Sequence, residues 1–154
     1  MRLDPIHLKP DFDNERLWIV TKPIRYQISG LYDWHVTVPA GFKSDLASLP
    51  PLTAFLVRWR KQQHRINSGA ILHDFLYATH GCSRSIADSI VEGQWRDDEI
   101  PRGEAKLFRA SVQIFGKRAY KSGPERLAAN CPELTVQIGQ APKFENLDEF
   151  EVDK

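Results

Sequence analysis

The chain has 154 residues, of which 42% are hydrophobic and 27% charged, and a net charge of +1. That composition suits one globular domain large enough to bury a core of its own. The near-neutral balance argues against a dedicated nucleic-acid binder, and no apolar run approaches the roughly 18–20 residues that span a bilayer.

The N-terminal stretch MRLDPIHLKPDFDNERLW is polar, with charges of both signs. It lacks the apolar core of a signal peptide, which implies synthesis in the cytoplasm, any export needing another route. LWIVTKPIRYQI (17–28) is rich in β-branched and aromatic residues, with Pro23 marking an edge strand or a break. SGLYD then reads as a turn. In WHVTVPAGF (34–42), Trp34, Val36 and Val38 alternate with His35 and Thr37, the pattern of a half-buried strand that Pro39 and Gly41 end. KSDLASLPPLTAFLVRWRKQQ opens as an irregular loop, made extended by Pro50-Pro51, with a short helix or turn over Leu52 to Trp59.

The second half reads as helical. Asn67 or Ser68 is placed to cap a helix running to about Thr79, stopped by Gly81. Ser83 or Ser85 caps a second helix to about Arg96, which RDDEIP breaks. Pro101 suits the first turn of a third helix through Tyr120, ended by SGP. Its apolar residues Leu107, Ala110, Val112, Ile114 and Phe115 include a helical stripe. One strand is expected over Leu134 to Ile138. The expected fold is α+β: a small N-terminal antiparallel sheet or hairpin, then three helices, two of them forming an antiparallel hairpin. One domain would cover residues 1–140, followed by an acidic tail, 141–154.

Charge is unevenly placed. Residues 56–121 hold twelve Lys or Arg against seven Asp or Glu, and the tail holds five acidic and two basic residues. Such a tail can fold back on the basic middle, contact a partner, or stay solvated. Cys82 and Cys131, the two cysteines, have no metal-ligand spacing and make no disulfide framework, so reduced structural thiols are expected.

The two expected hairpin helices carry polar residues that apolar packing does not need. His73 and Tyr77 are four apart and share a face, with Asp74 rotated by about 100° from His73. Ile71, Leu72, Phe75 and Leu76 supply the apolar surface. On the second helix Asp88 sits beside Ala87, Ile90, Val91 and Gln94. In an antiparallel hairpin Asp88 faces back toward His73, and a carboxylate on one imidazole nitrogen raises the basicity of the other. The other nitrogen can then activate water. The alternative is a polar lock, with Asp88 paired to Arg84 or helping Ser85 to cap its own helix. In VPAGFKSDLASLP, Gly41 permits unusual backbone angles, and Ser44, Asp45 and Ser48 gather past a strand end. Asp45 and loop carbonyls can complete an oxygen-rich cation site with Asp74, or the same residues can form a capping turn. FRASVQIFGKRAYK is either a basic contact face, with Arg109, Lys117, Arg118 and Lys121, or a core helix with a solvated outer side.

Two resemblances bear on these residues. VPAGFKSDLASLP, GAILHDFLY, SRSIAD and FRASVQIFGKRAY, in that order over roughly residues 15–121, resemble the tailed-phage and prophage family named domain of unknown function 1353. This implies a phage or prophage origin and supplies no activity. AILHDFLY followed by IAD resembles the active-site helices of secretory and parvoviral phospholipases of type A(2). That resemblance implies His73 as general base, Asp88 orienting it, Tyr77 bonded to Asp88, and Asp74 as a Ca²⁺ ligand. The glycine-rich calcium loop of those enzymes is not recognisable before His73, and the disulfides of the secreted members are absent. The function expected is that of a tail or baseplate virion component bearing a phospholipase-like site. A Ca²⁺-dependent hydrolase of lipid or cell envelope acting outside the virion, and a purely structural protein, are the alternatives. Partners would be other virion proteins or a second copy of the chain.

Overall fold

The computed structural model describes residues 1–28, 35–46 and 63–132. Its strands are β1 (Leu8–Pro10), β2 (Trp18–Val20), β3 (Ile24–Gln27), β4 (His35–Val38) and β5 (Lys43–Ser44). Helices α1 (Gln63–Thr79), α2 (Arg84–Asp97), α3 (Arg102–Lys121) and α4 (Gly123–Asn130) follow. The fold is α+β, as the sequence pattern implies.

The strands form two antiparallel sheets, β1-β2-β5 and β3-β4. Pro23 is the reason the 17–28 run splits: it lies between β2 and β3, which end up in different sheets. β4 keeps the expected alternation, with His35 and Thr37 exposed and Val36 and Val38 buried. Register sets Ile24 opposite Val38 and Tyr26 opposite Val36, so the apolar side chains share one face. Gly41, at φ 88°, turns the chain back. The following segment is not wholly irregular: Lys43 and Ser44 pair with Ile19 and Trp18.

α1 is the central helix, packed against the strands, α2, α3 and α4. It is buried on nearly every side, so it shows little of the one-faced pattern of a surface helix. It also starts earlier than the capping signals suggest. Asn67 and Ser68 lie inside it, and Ser68 is fully buried with its carbonyl accepting the Tyr26 hydroxyl at 3.0 Å. At the other end His80, not Gly81, takes the left-handed conformation, φ 51°. Its ring is held there by stacking on Tyr120 at 4.1 Å and by a 2.6 Å bond from Nε2 to the Tyr120 carbonyl.

Ser83, rather than Ser85, caps α2, its hydroxyl accepting from the Ile86 amide at 3.4 Å. SGP ends α3 at Lys121, as expected, but Pro124 then sits in the first turn of α4, which makes four helices among the described residues instead of three. The α3 stripe needs correction as well. Ala105, Phe108, Ser111 and Gly116 face the core, whereas Ile114 and Phe115 are 70% and 58% exposed. The core has two parts: the strand residues against Ile71, Leu72, Phe75 and Leu76, and a cluster of Ile66, Val91, Trp95, Ile100, Ala105 and Phe108. No helix among the described residues is long and apolar enough to cross a membrane. Trp34, the 29–33 turn, Ser48, Pro50-Pro51, the Leu52–Trp59 segment, the Leu134–Ile138 strand and the 141–154 tail lie outside the described residues.

Candidate active site in the helix hairpin

α1 and α2 meet as an antiparallel pair. Trp95 donates its indole N–H to the Ile66 carbonyl at 3.2 Å, and further along His73 meets Asp88. Gly69 allows the close approach, since a Cβ there would lie 2.2 Å from the Trp95 ring nitrogen.

In this hairpin Asp88 accepts from two side chains of α1 on the same oxygen. His73 Nε2 is 3.1 Å from Asp88 Oδ1, and the Tyr77 hydroxyl donates to that atom at 2.6 Å. The His73 and Tyr77 rings also touch, with centroids 3.8 Å apart. All three residues are buried, His73 the least at 8% exposure. Burial, and then the Asp88 carboxylate, raise the Tyr77 hydroxyl well above its ordinary range, so it stays a proton donor at all moderate pH. Gly116 of α3 makes room for it: a Cβ at that position would sit 2.7 Å from the Tyr77 oxygen. With Nε2 engaged as a donor to a carboxylate, the Nδ1 lone pair is left for another proton.

One residue on, Asp74 is held from the sheet side. Ser44 of β5 donates to Asp74 Oδ2 at 2.5 Å and accepts the Leu46 amide at 2.9 Å. Leu46 itself has φ 57°, a conformation costly for a residue with a side chain. Desolvation lifts the Asp74 carboxyl well above the usual carboxylate range, and the neighbouring Asp45 lifts it further; Ser44 and the Arg126 guanidinium pull the other way. The two clusters share a cleft of about 160 Å³ lined by Asp45, Leu46, His73, Asp74, Phe115 and Arg126, with Ile66, Val112 and Trp95 among its apolar walls.

The sequence-expected residues therefore fall into two touching sets: His73, Tyr77 and Asp88, and Ser44, Asp45 and Asp74. Ser48 lies outside the described residues. Among the described residues Asp88 does not pair with Arg84, which donates to the Gln113 carbonyl at 2.8 Å and lies beside the Tyr77 hydroxyl. Nor does Ser85 cap the helix with its help. Arg109 is no open contact residue: it binds Glu92 at 2.8 Å and Ser89 at 3.1 Å. Cys82 and Cys131 are free thiols, and burial pushes Cys82 up to about 11, which makes it a poor nucleophile. Sequence reading missed Gly116, Phe115 and Arg126 as parts of the site. A glycine inside a long helix, costing roughly 0.5–1 kcal/mol against alanine, was the available signal for Gly116.

A profile of the family described as protein of unknown function, DUF1353, matches residues 18–112. The chain belongs to that family. The DUF1353 match runs from β2 into α3, so it takes in both aspartate clusters. It ends at Val112, and the cleft wall made by Phe115, Gly116 and Arg126 lies beyond it. No curated protein and no solved structure gives a match.

Proposed function

We propose that this DUF1353 chain is a hydrolase that activates water on His73 and acts on a lipid ester or another cell-envelope component, as part of a phage tail or baseplate. The observation that carries the chemistry is the His73 ring, which lines the cleft while its Nε2 is anchored on buried Asp88 at 3.1 Å. Asp88 fixes the tautomer and steadies the positive charge that forms when Nδ1 takes a proton. A water in the cleft gives that proton to Nδ1 as its oxygen attacks the ester carbonyl carbon. The tetrahedral adduct collapses, the ester C–O bond breaks, and the proton passes from His73 to the leaving alkoxide. Tyr77, which also lines the cleft, donates to the Asp88 oxygen that His73 meets and so holds the carboxylate in place.

The phospholipase A(2) resemblance implies Ca²⁺, and the Asp45–Asp74 pair fits a hard cation in kind: two neighbouring carboxylates whose mutual repulsion a cation relieves. They supply two of the roughly six to eight oxygens that such an ion takes, and among the described residues no third His, Cys, Asp or Glu joins them. Bound there, Ca²⁺ would stabilise the oxyanion.

The likeness of the sequence blocks to proteins of tailed phages supports the virion role, with other virion proteins or a second copy as partners. A second reading rests on the burial of all three residues of the His73 cluster: the polar groups lock two helices and catalyse nothing. One experiment separates the two. Purified protein and His73→Ala are incubated with mixed bacterial phospholipids or cell-wall extract, with Ca²⁺ or chelator, and products are read by mass spectrometry. Fatty-acid release that His73→Ala abolishes supports the hydrolase; no product from any substrate, with folded protein, leaves the lock.

A further inference from the structure

The outer part of the α3 stripe points to the partner of the cleft. Ile114 and Phe115 are exposed, and Phe115 also lines the cleft. Arg118 lies one turn beyond both and Lys121 one turn beyond that, so all four share a flank of the helix. Both cations are exposed, and neither pairs with a carboxylate among the described residues. After Glu104, α3 carries Lys106, Arg109, Lys117, Arg118 and Lys121 and no acidic residue. Arg126, from α4, adds a further cation at the cleft itself.

Two large apolar side chains rimmed by cations suit an interface that is apolar a few ångströms down and anionic on top. We propose that this flank of α3 docks on an anionic lipid bilayer, with Ile114 and Phe115 entering the acyl boundary, Arg118 and Lys121 meeting headgroup phosphates, and the cleft mouth facing the lipid. The identification of lipid as the substrate's source rests on the hydrolase reading; the docking itself is measured without turnover.

The test is co-sedimentation of the whole chain with phosphatidylglycerol vesicles and with phosphatidylcholine vesicles, in chelator. The expected result is binding to the anionic vesicles that is at least about tenfold tighter than to the zwitterionic ones and weakens with added salt. Ile114→Asp should lower it about tenfold or more, and Arg118→Gln with Lys121→Gln should lower it by a similar factor with the apolar residues intact. Circular dichroism checks that each variant is folded. Equal binding to both vesicle types, or no change in either variant, overturns the proposal. So does concentration-dependent self-association that Ile114→Asp abolishes in a protein that ignores vesicles, which would assign the flank to a second copy. Hydrolysis of a soluble short-chain phospholipid is read alongside in a separate sample with Ca²⁺: turnover without vesicle binding refutes the docking and keeps the hydrolase, and binding without turnover does the reverse.

Discussion

Asp88 and Asp74 belong to the same helix hairpin and meet withdrawal from water in different ways. Asp88 is 1% exposed and accepts from the His73 ring and the Tyr77 hydroxyl, so its charge is surrounded by donors. Asp74 has Ser44 on one oxygen and a second carboxylate, Asp45, close by, and it is pushed toward the protonated form. The first arrangement is complete within α1 and α2 and positions an imidazole. The second sets two carboxylates side by side, with the Arg126 guanidinium nearby, and it borders the cleft. A buried polar group with every partner supplied is a positioning device; one held beside a like charge is suited to receive a cation or exchange a proton.

The largest effect expected from breaking this contrast is on turnover. His73→Ala should reduce hydrolysis about 10²- to 10⁴-fold, the usual contribution of a general base, while the circular dichroism spectrum is kept.

Part of this contrast was legible in the sequence. The HDFLY spacing places His73 and Tyr77 on one helical face, and the short link before Ser83 brings Asp88 back to them. Other parts need the tertiary structure. Ser44 reaches Asp74 only because β5 adds to the edge of β2. Ile114 and Phe115 read as core because a helical stripe shows which residues share a face and not which face is covered. Ser68 reads as a cap because residue type alone does not separate a cap from a serine buried in mid-helix, where its carbonyl accepts the Tyr26 hydroxyl. His80 ends α1 without glycine because a stacked aromatic ring stabilises its left-handed backbone.

Stability should respond next. Asp88→Ala strands two buried donors, and urea unfolding should show a loss of about 2–5 kcal/mol. Asp74→Ala, which removes one of two opposed carboxylates, should cost far less in the same titration. Gly116→Ala should cost about 1–3 kcal/mol, because the new methyl meets the Tyr77 oxygen, and it should lower turnover by shifting Tyr77 against Asp88.

The smallest effect concerns pH. Asp74 has a folded-state pKa above its unfolded value of 3.8, so between the two the folded chain binds more protons. Stability contributed by the protonated form is complete below 3.8 and is lost as pH rises through the folded pKa. Asp45→Asn removes the charge that opposes ionisation, and thermal unfolding followed from acid to neutral pH should show a shallower loss. Millimolar Ca²⁺ should offset the loss in the wild type and have less effect in Asp45→Asn.

The central claim is that the hairpin presents His73 with its basic nitrogen toward the cleft. The most direct measurement is the tautomer of that ring by long-range ¹H–¹⁵N NMR at neutral pH, the signal being assigned through its loss in His73→Asn. The expected spectrum is that of the Nε2–H tautomer, with Nδ1 carrying the lone pair. An Nδ1–H tautomer would point the proton at the cleft and contradict the role of His73 as the base.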